Sequence, residues 1–117
     1  MPTTPMLRTR AEALATDHLR SRGIEIVDSN WRCPYGEIDF VAIDSDSTAF
    51  IDLVIHTERP AVSSTSTLLS RQQRIRRLAL IWLHEHSGPF RKIRFDRITV
   101  SLAPDRGAQI DHVLAAF

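Results

Sequence analysis

The chain predicts an α/β fold: a mixed central sheet flanked by two helices, in the order αβββαβ with a short C-terminal edge element. Three observations predict it. Two segments, residues 7–22 and 68–86, carry apolar residues at helical spacing. The stretches Glu37-Ile-Asp-Phe-Val-Ala-Ile43 and Ala49-Phe-Ile-Asp-Leu-Val-Ile55 alternate with period two around the polar run Asp44-Ser-Asp-Ser47, as a hairpin does. A further alternating stretch follows the second helix at residues 92–102, so strands lie on both sides of it in sequence.

Each element has its local reason. Residues 1–6 read as a flexible start. The first helix, 7–22, places Leu7, Ala11, Leu14, Ala15, His18 and Leu19 on one face, and Gly23 stops it. Residues 24–30 form a strand, and 31–36 a loop holding Trp31 and Tyr35. After the hairpin, a polar linker over 57–67 contains Pro60 and several Ser and Thr, long for a compact domain. The second helix, 68–86, buries Leu68, Ile75, Leu78, Ala79, Trp82 and Leu83, and Ser87-Gly88-Pro89 ends it. Residues 104–107 make a turn, and 110–117 a closing strand or extended tail.

A length of 117 residues predicts a single domain spanning 1–117, large enough for a core without disulfides. With 43% hydrophobic and 25% charged residues, composition excludes fibrous and disordered classes. No apolar run approaches the ~20 residues that span a bilayer, so no membrane partner is expected. The N-terminus lacks the apolar core of a signal peptide, and the lone Cys33 can form no internal disulfide. Both lead to the expectation of a cytoplasmic protein. A net charge of +1 does not by itself imply a nucleic-acid partner. Of the fifteen basic residues only Lys92 is a lysine, so any active site has at most one lysine available.

The hairpin carries the chemistry. A register that pairs Ile43 with Thr48 sets Asp39 opposite Asp52 and Glu37 opposite Val54. Carboxylates directly opposite in a sheet repel, with Cβ atoms about 5 Å apart, and a divalent cation offsets that repulsion. In a partly buried site such acids raise their pKa values or bind a cation. Magnesium suits two carboxylates, because water and phosphate oxygens complete its octahedron; manganese is the alternative ion. The plainer reading is a solvated face whose acids point into water. Glu12, on the first helix, reaches the same cluster if that helix crosses the hairpin; otherwise it is a solvated carboxylate near Arg8 and Arg20.

Arg71, Arg74 and Arg77 fall at i, i+3 and i+6 on the second helix, with Arg76 nearby, a stripe able to grip a phosphate backbone. A merely solvated helix face is the plainer alternative. Tyr35 and Trp31 are placed to stack on exposed bases, although core packing suits Trp31 better. The histidines do not assemble: His84 and His86 diverge, while His18 and His112 stand alone and His56 is a lone strand residue. No zinc spacing, phosphate-binding glycine loop or nucleophile elbow is present.

The strings Asn30-Trp-Arg32, Gly36-Glu-Ile-Asp-Phe40 and Phe50-Ile-Asp-Leu53 resemble the YraN family, also called UPF0102. Ala11-Glu-Ala13, Arg94-Phe-Asp96 and the ending His112-Val-Leu-Ala-Ala-Phe117 extend the likeness over nearly the whole chain. That family is similar to Holliday-junction resolvases with a restriction-endonuclease-like fold. The resemblance implies a magnesium site with Asp39 as first acid and Asp52 as second, Glu12 being the acid of the first helix. It implies a nuclease-like nucleic-acid-binding protein acting on or binding branched or structured DNA.

The departures fall at the chemistry. Val54 stands where the pattern has Lys, and Ile55 and His56 where it continues with Thr and a basic residue. Asp52 is one methylene shorter than the usual Glu, Gln72 takes a position often basic, and Ala11 replaces a glycine. Losing one group that stabilises transition-state charge lowers a rate on the order of 10² to 10³. The resemblance thus implies a candidate magnesium-dependent endonuclease with a degenerate active site; Glu37, placed opposite Val54 by the register, is the candidate water-orienting base. The alternative is an inactive protein-interaction or dimerisation domain, suggested by the apolar run 50–55 and compatible with a homodimer.

Overall fold

A computed structural model describes residues 3–57, 65–86, 88, 92–103 and 107–117. Its elements are α1 (Thr4–Ser21), β1 (Glu25–Cys33), β2 (Gly36–Asp44), β3 (Ser47–His56), α2 (Thr65–Glu85), β4 (Lys92–Ala103) and β5 (Gly107–Val113). The five strands lie in the order β1-β2-β3-β4-β5. All neighbours are antiparallel except β3 and β4, which run parallel across the α2 crossover. The fold is the expected mixed α/β sheet with two helices, an architecture compatible with nuclease-like α/β proteins.

The helices cover opposite faces of the sheet. Ala11, Ala15 and Leu19 of α1 pack on Phe40, Ala42, Ile51, Leu53, Ile98 and Val100. Ile75, Leu78, Ala79 and Trp82 of α2 pack on Ile38, Val41 and Phe50, with Phe95 partly buried beside them. Central β3 therefore feeds both cores from alternate positions, which explains the run 50–55: Phe50, Ile51 and Leu53 are buried and Ile55 packs under α1. Most of the apolarity of this run is thus internal, with Val54 and Ile55 half-buried.

Several boundaries differ from expectation. Of the flexible start over 1–6, residues 1–2 lie outside the described residues, and α1 already begins at Thr4, where the Thr3 hydroxyl accepts the Met6 N–H at 3.4 Å and Pro5 occupies the first turn. At its other end, Gly23 (φ +72°) closes a Schellman turn, with Gly23 N–H donating to Arg20 O and Ile24 N–H to Leu19 O, each 3.0 Å. The expected loop 31–36 contracts to the two-residue turn Pro34-Tyr35, because β1 runs on to pair Cys33 with Gly36. Trp31 extends the strand by packing on the α2 core. Residues 58–64 of the expected linker lie outside the described residues, and α2 starts at Thr65. The turn over 104–107 also lies outside them, save Gly107, where β5 begins earlier than expected.

Candidate functional site

The hairpin register is the expected one, with Ile43 opposite Thr48. The β2–β3 ladder nevertheless ends at Phe40 opposite Ile51, one step before the two aspartates. Beyond that point β2 stays with β1 as far as Gly36, and β3 stays with β4 as far as His56. The strands part at Asp39 and Asp52. There Asp39 Oδ2, not a backbone carbonyl, accepts the Leu53 N–H at 2.8 Å. Ile38 and Val41, three apart, are buried in the same core, so strict alternation breaks between them. The gap opens as a cleft of about 380 Å³ whose lining includes Arg8, Glu37, Asp39, Asp52, Arg71 and Arg74.

Asp39, 11% exposed, is held from the α1 side. Arg8 Nη2 donates to Asp39 Oδ1 at 2.6 Å and to Glu37 Oε1 at 3.3 Å, while Arg8 Nε lies 3.0 Å from Glu12 Oε1 one helical turn on. Glu37 also pairs with Arg32 Nε at 3.0 Å. Glu12 does not line the cleft; it steadies Arg8 and accepts from Asn30 Nδ2 at 3.4 Å. Burial pushes the Asp39 carboxyl above its ordinary value, and the nearby Asp52 charge adds to this. The Leu53 N–H and Arg8 pull it back without cancelling the rise.

Asp52, 2% exposed, is held from the α2 side. Arg71 closes on Oδ1 with Nε at 3.0 Å and Nη2 at 2.7 Å, and Nη2 also donates to Leu53 O at 3.2 Å. Oδ2 accepts no hydrogen bond among the described residues, and Arg97 Nε stands 3.8 Å away. Arg97 is there because β4 is parallel to β3, which sets Asp52 beside Arg97 and Ser47 beside Lys92. Lys92 is thus carried to the far end of the strand, where it meets Asp46 at 3.0 Å. Val54 lies beside Thr99, half-buried and uncharged.

This donor set does not fit a resident magnesium ion. Magnesium needs near-octahedral oxygen ligands at about 2.0–2.1 Å and keeps several waters. Both oxygens of Asp39 are engaged, and only Oδ2 of Asp52 is open, facing a guanidinium in a buried position. No three acidic, His or Cys side chains among the described residues are grouped to hold a metal. Arg8 and Arg71 stand where a cation would.

Of the sequence candidates, Asp39, Asp52, Glu37, Arg71 and Arg74 meet in this cleft. Arg77 lies one turn further along α2, lining a neighbouring groove of about 520 Å³ with Tyr35 and Arg74. Arg71 is committed to Asp52, whereas exposed Arg74 and Arg77 form no ion pair among the described residues. Sequence reasoning placed Arg8 only beside Glu12 and missed Arg97. Arg8 is signalled by its i, i+4 relation to Glu12, and Arg97 by sharing a strand face with Phe95.

The histidines, expected to stand alone, require correction: His18 and His112 meet. His18 Nε2 lies 3.2 Å from His112 Nδ1, and His112 Nε2 lies 3.0 Å from Oδ2 of fully buried Asp96. Arg94 Nε and Nη2 donate to Asp96 at 2.8 and 2.9 Å, and Ala115 N–H at 3.0 Å. Burial alone would raise the Asp96 pKa, but these bonds hold it below its ordinary value. Desolvation, then the charges of His112 and Arg22, lower that of His18. The sequence separation of 94 residues hides this pair, since only the β4–β5 pairing brings β5 under α1. The cluster joins α1 to the C-terminal end of the sheet.

Among described residues, no helix is long and apolar enough to cross a membrane. Residues 11–100 match the model of the uncharacterised protein family UPF0102. A UPF0102 protein of Nocardia farcinica is 45% identical, covering 95% of this chain and 88% of its own. One from Rhodococcus opacus is 37% identical with 95% of each chain covered, and one from Frankia casuarinae 36% identical with 91% of each. The chain belongs to the UPF0102 family.

Proposed function

Taking membership of that family as the premise, we propose that this protein binds branched or structured DNA on a nuclease-like scaffold without metal-dependent hydrolysis. One observation carries the reading: Arg74 and Arg77, without an ion pair among the described residues, are exposed on α2 beside an acidic cleft whose carboxylates are closed by Arg8 and Arg71. Uncommitted guanidiniums at helical spacing neutralise successive phosphates, while arginine-bound acids leave no cationic Lewis acid to polarise one. The acids act instead as a fixed negative floor that keeps Arg8 and Arg71 oriented. The absence of the lysine expected at Val54 fits the same reading, because no charge there would assist a leaving group.

The test is fluorescence anisotropy with a four-way DNA junction across a salt series. Binding should weaken as salt rises, and the Arg74→Glu, Arg77→Glu double variant should weaken it further and flatten the salt slope by about two. Junction cleavage in magnesium or manganese by the unaltered chain would overturn the non-hydrolytic part; no salt-dependent binding would overturn the whole.

A further inference from the structure

The groove beside the cleft has a composition that phosphate binding does not require. Tyr35 forms half of the two-residue β1–β2 turn and is 76% exposed, the greatest exposure of any large apolar or aromatic side chain among the described residues. The turn is rigidly seated. Pro34 fixes one backbone angle, and Gly36 (φ +148°) presses on α2 so closely that a Cβ there would stand 3.2 Å from Leu78 Cδ1. Opposite the ring, one stripe of α2 supplies Ser70, Gln73, Arg74, Arg77, Leu78 and Ile81. The volume of about 520 Å³ is that of a small-ligand site, in the range of roughly 300–1,000 Å³. Ser70 and Arg74 line both this groove and the acidic cleft, so the two are continuous.

These groups sort by chemistry. The exposed phenol ring offers a face of the kind a nucleobase stacks on, with half-buried Ile81 adding apolar surface across the groove. Gln73, exposed on the rim, carries both a donor and an acceptor for a base edge. Arg74 and Arg77, one turn apart, offer charge to the phosphates on either side. A base inside a duplex has its faces covered by its neighbours, so only its groove edges and phosphates are open to a protein surface. An exposed aromatic on a fixed turn is useful only to a base that is already unstacked.

We propose that the groove between Tyr35 and α2 binds an unpaired nucleotide of a DNA strand, placing the adjoining branch point over the acidic cleft. The proposal rests on the DNA-binding reading above and narrows it to ligands with a single-stranded segment.

The experiment compares the full chain with Tyr35→Ala and Tyr35→Trp on three labelled DNAs: a blunt duplex, the same duplex with a single-stranded flap, and the flap strand alone. The wild type should bind the flapped duplex more tightly than the blunt one. Tyr35→Ala should weaken flap and single-strand binding by about tenfold or more while leaving the blunt duplex within about twofold. Tyr35→Trp should restore affinity, with emission at that position quenched on adding single strand. Circular dichroism checks that each variant folds. Equal loss on all three DNAs, or no loss on any, overturns the proposal. Affinity that falls with Arg74→Glu but ignores Tyr35→Ala overturns this inference alone; a wild type that binds none of the DNAs removes both readings.

Discussion

At the scale of single residues, the two aspartates differ in what holds them. Burial raises the folded pKa of Asp39 above the ordinary carboxylate value, so the fold disfavours its charged form. For an acid raised in this way the folded state favours the protonated form, so stability declines as pH rises from the ordinary value through the raised one. Asp39→Asn keeps the acceptor for the Leu53 N–H and removes the buried charge. It should raise the thermal midpoint at pH 7 by a few degrees, with the gain shrinking toward pH 4. A fall of the size expected for a broken buried ion pair would show that Arg8 outweighs desolvation. Asp96 is the opposite case, held below its ordinary pKa by Arg94, His112 and a backbone N–H. Asp96→Ala should cost about 3–5 kcal/mol in urea unfolding, because it removes the buried acceptor of Arg94, His112 and the Ala115 N–H.

The same cluster sets a pH dependence. His18, lowered by desolvation and by His112 and Arg22, is favoured neutral in the fold. Arg94, Asp96 and Asp44 complete the charged groups around this corner. As pH falls below about 6.5 the unfolded chain takes up the His18 proton first, so stability should drop from neutral pH toward pH 5. His18→Gln should flatten that part of the profile; an unchanged slope would assign it elsewhere.

At the scale of elements, α2 does two jobs with opposite faces. Its buried stripe anchors the crossover, and its exposed stripe carries Arg74 and Arg77. Leu78 belongs to the first and borders the second, so Leu78→Ala should lose about 2–5 kcal/mol of stability and slacken the Gly36 contact. Urea midpoints measure the first effect, and amide exchange at the Pro34–Gly36 turn the second. Each element's type was legible in the sequence, because periods of 3.6 and 2 report directly on which face is buried. The β2–β3 register was legible too, since its polar turn admits one pairing of the apolar positions.

At the scale of the whole molecule, the unread part of the site comes from non-local geometry. Arg8 reaches Asp39 only because α1 lies across the sheet, and Arg97 reaches Asp52 only because β4 is parallel to β3. Neither orientation leaves a periodic trace in the chain. The result is a carboxylate pair whose position was foreseeable and whose partners were not. Because both cores share β3, the protein should unfold as one unit: tryptophan emission, reporting the α2 side, and far-ultraviolet dichroism should give coincident transitions. Separate midpoints would show that the α1 side melts alone.

The parallel pairing has a consequence for synthesis. On the ribosome, β3 is complete before any of β4 has been made, and the whole of α2 must emerge between them. Until then the most apolar strand of the sheet has one bare hydrogen-bonding edge, open to the matching edge of another nascent copy. The interval between translating residues 56 and 103 is therefore when this chain is most prone to aggregate, and slowing elongation there should lower soluble yield more than slowing it elsewhere.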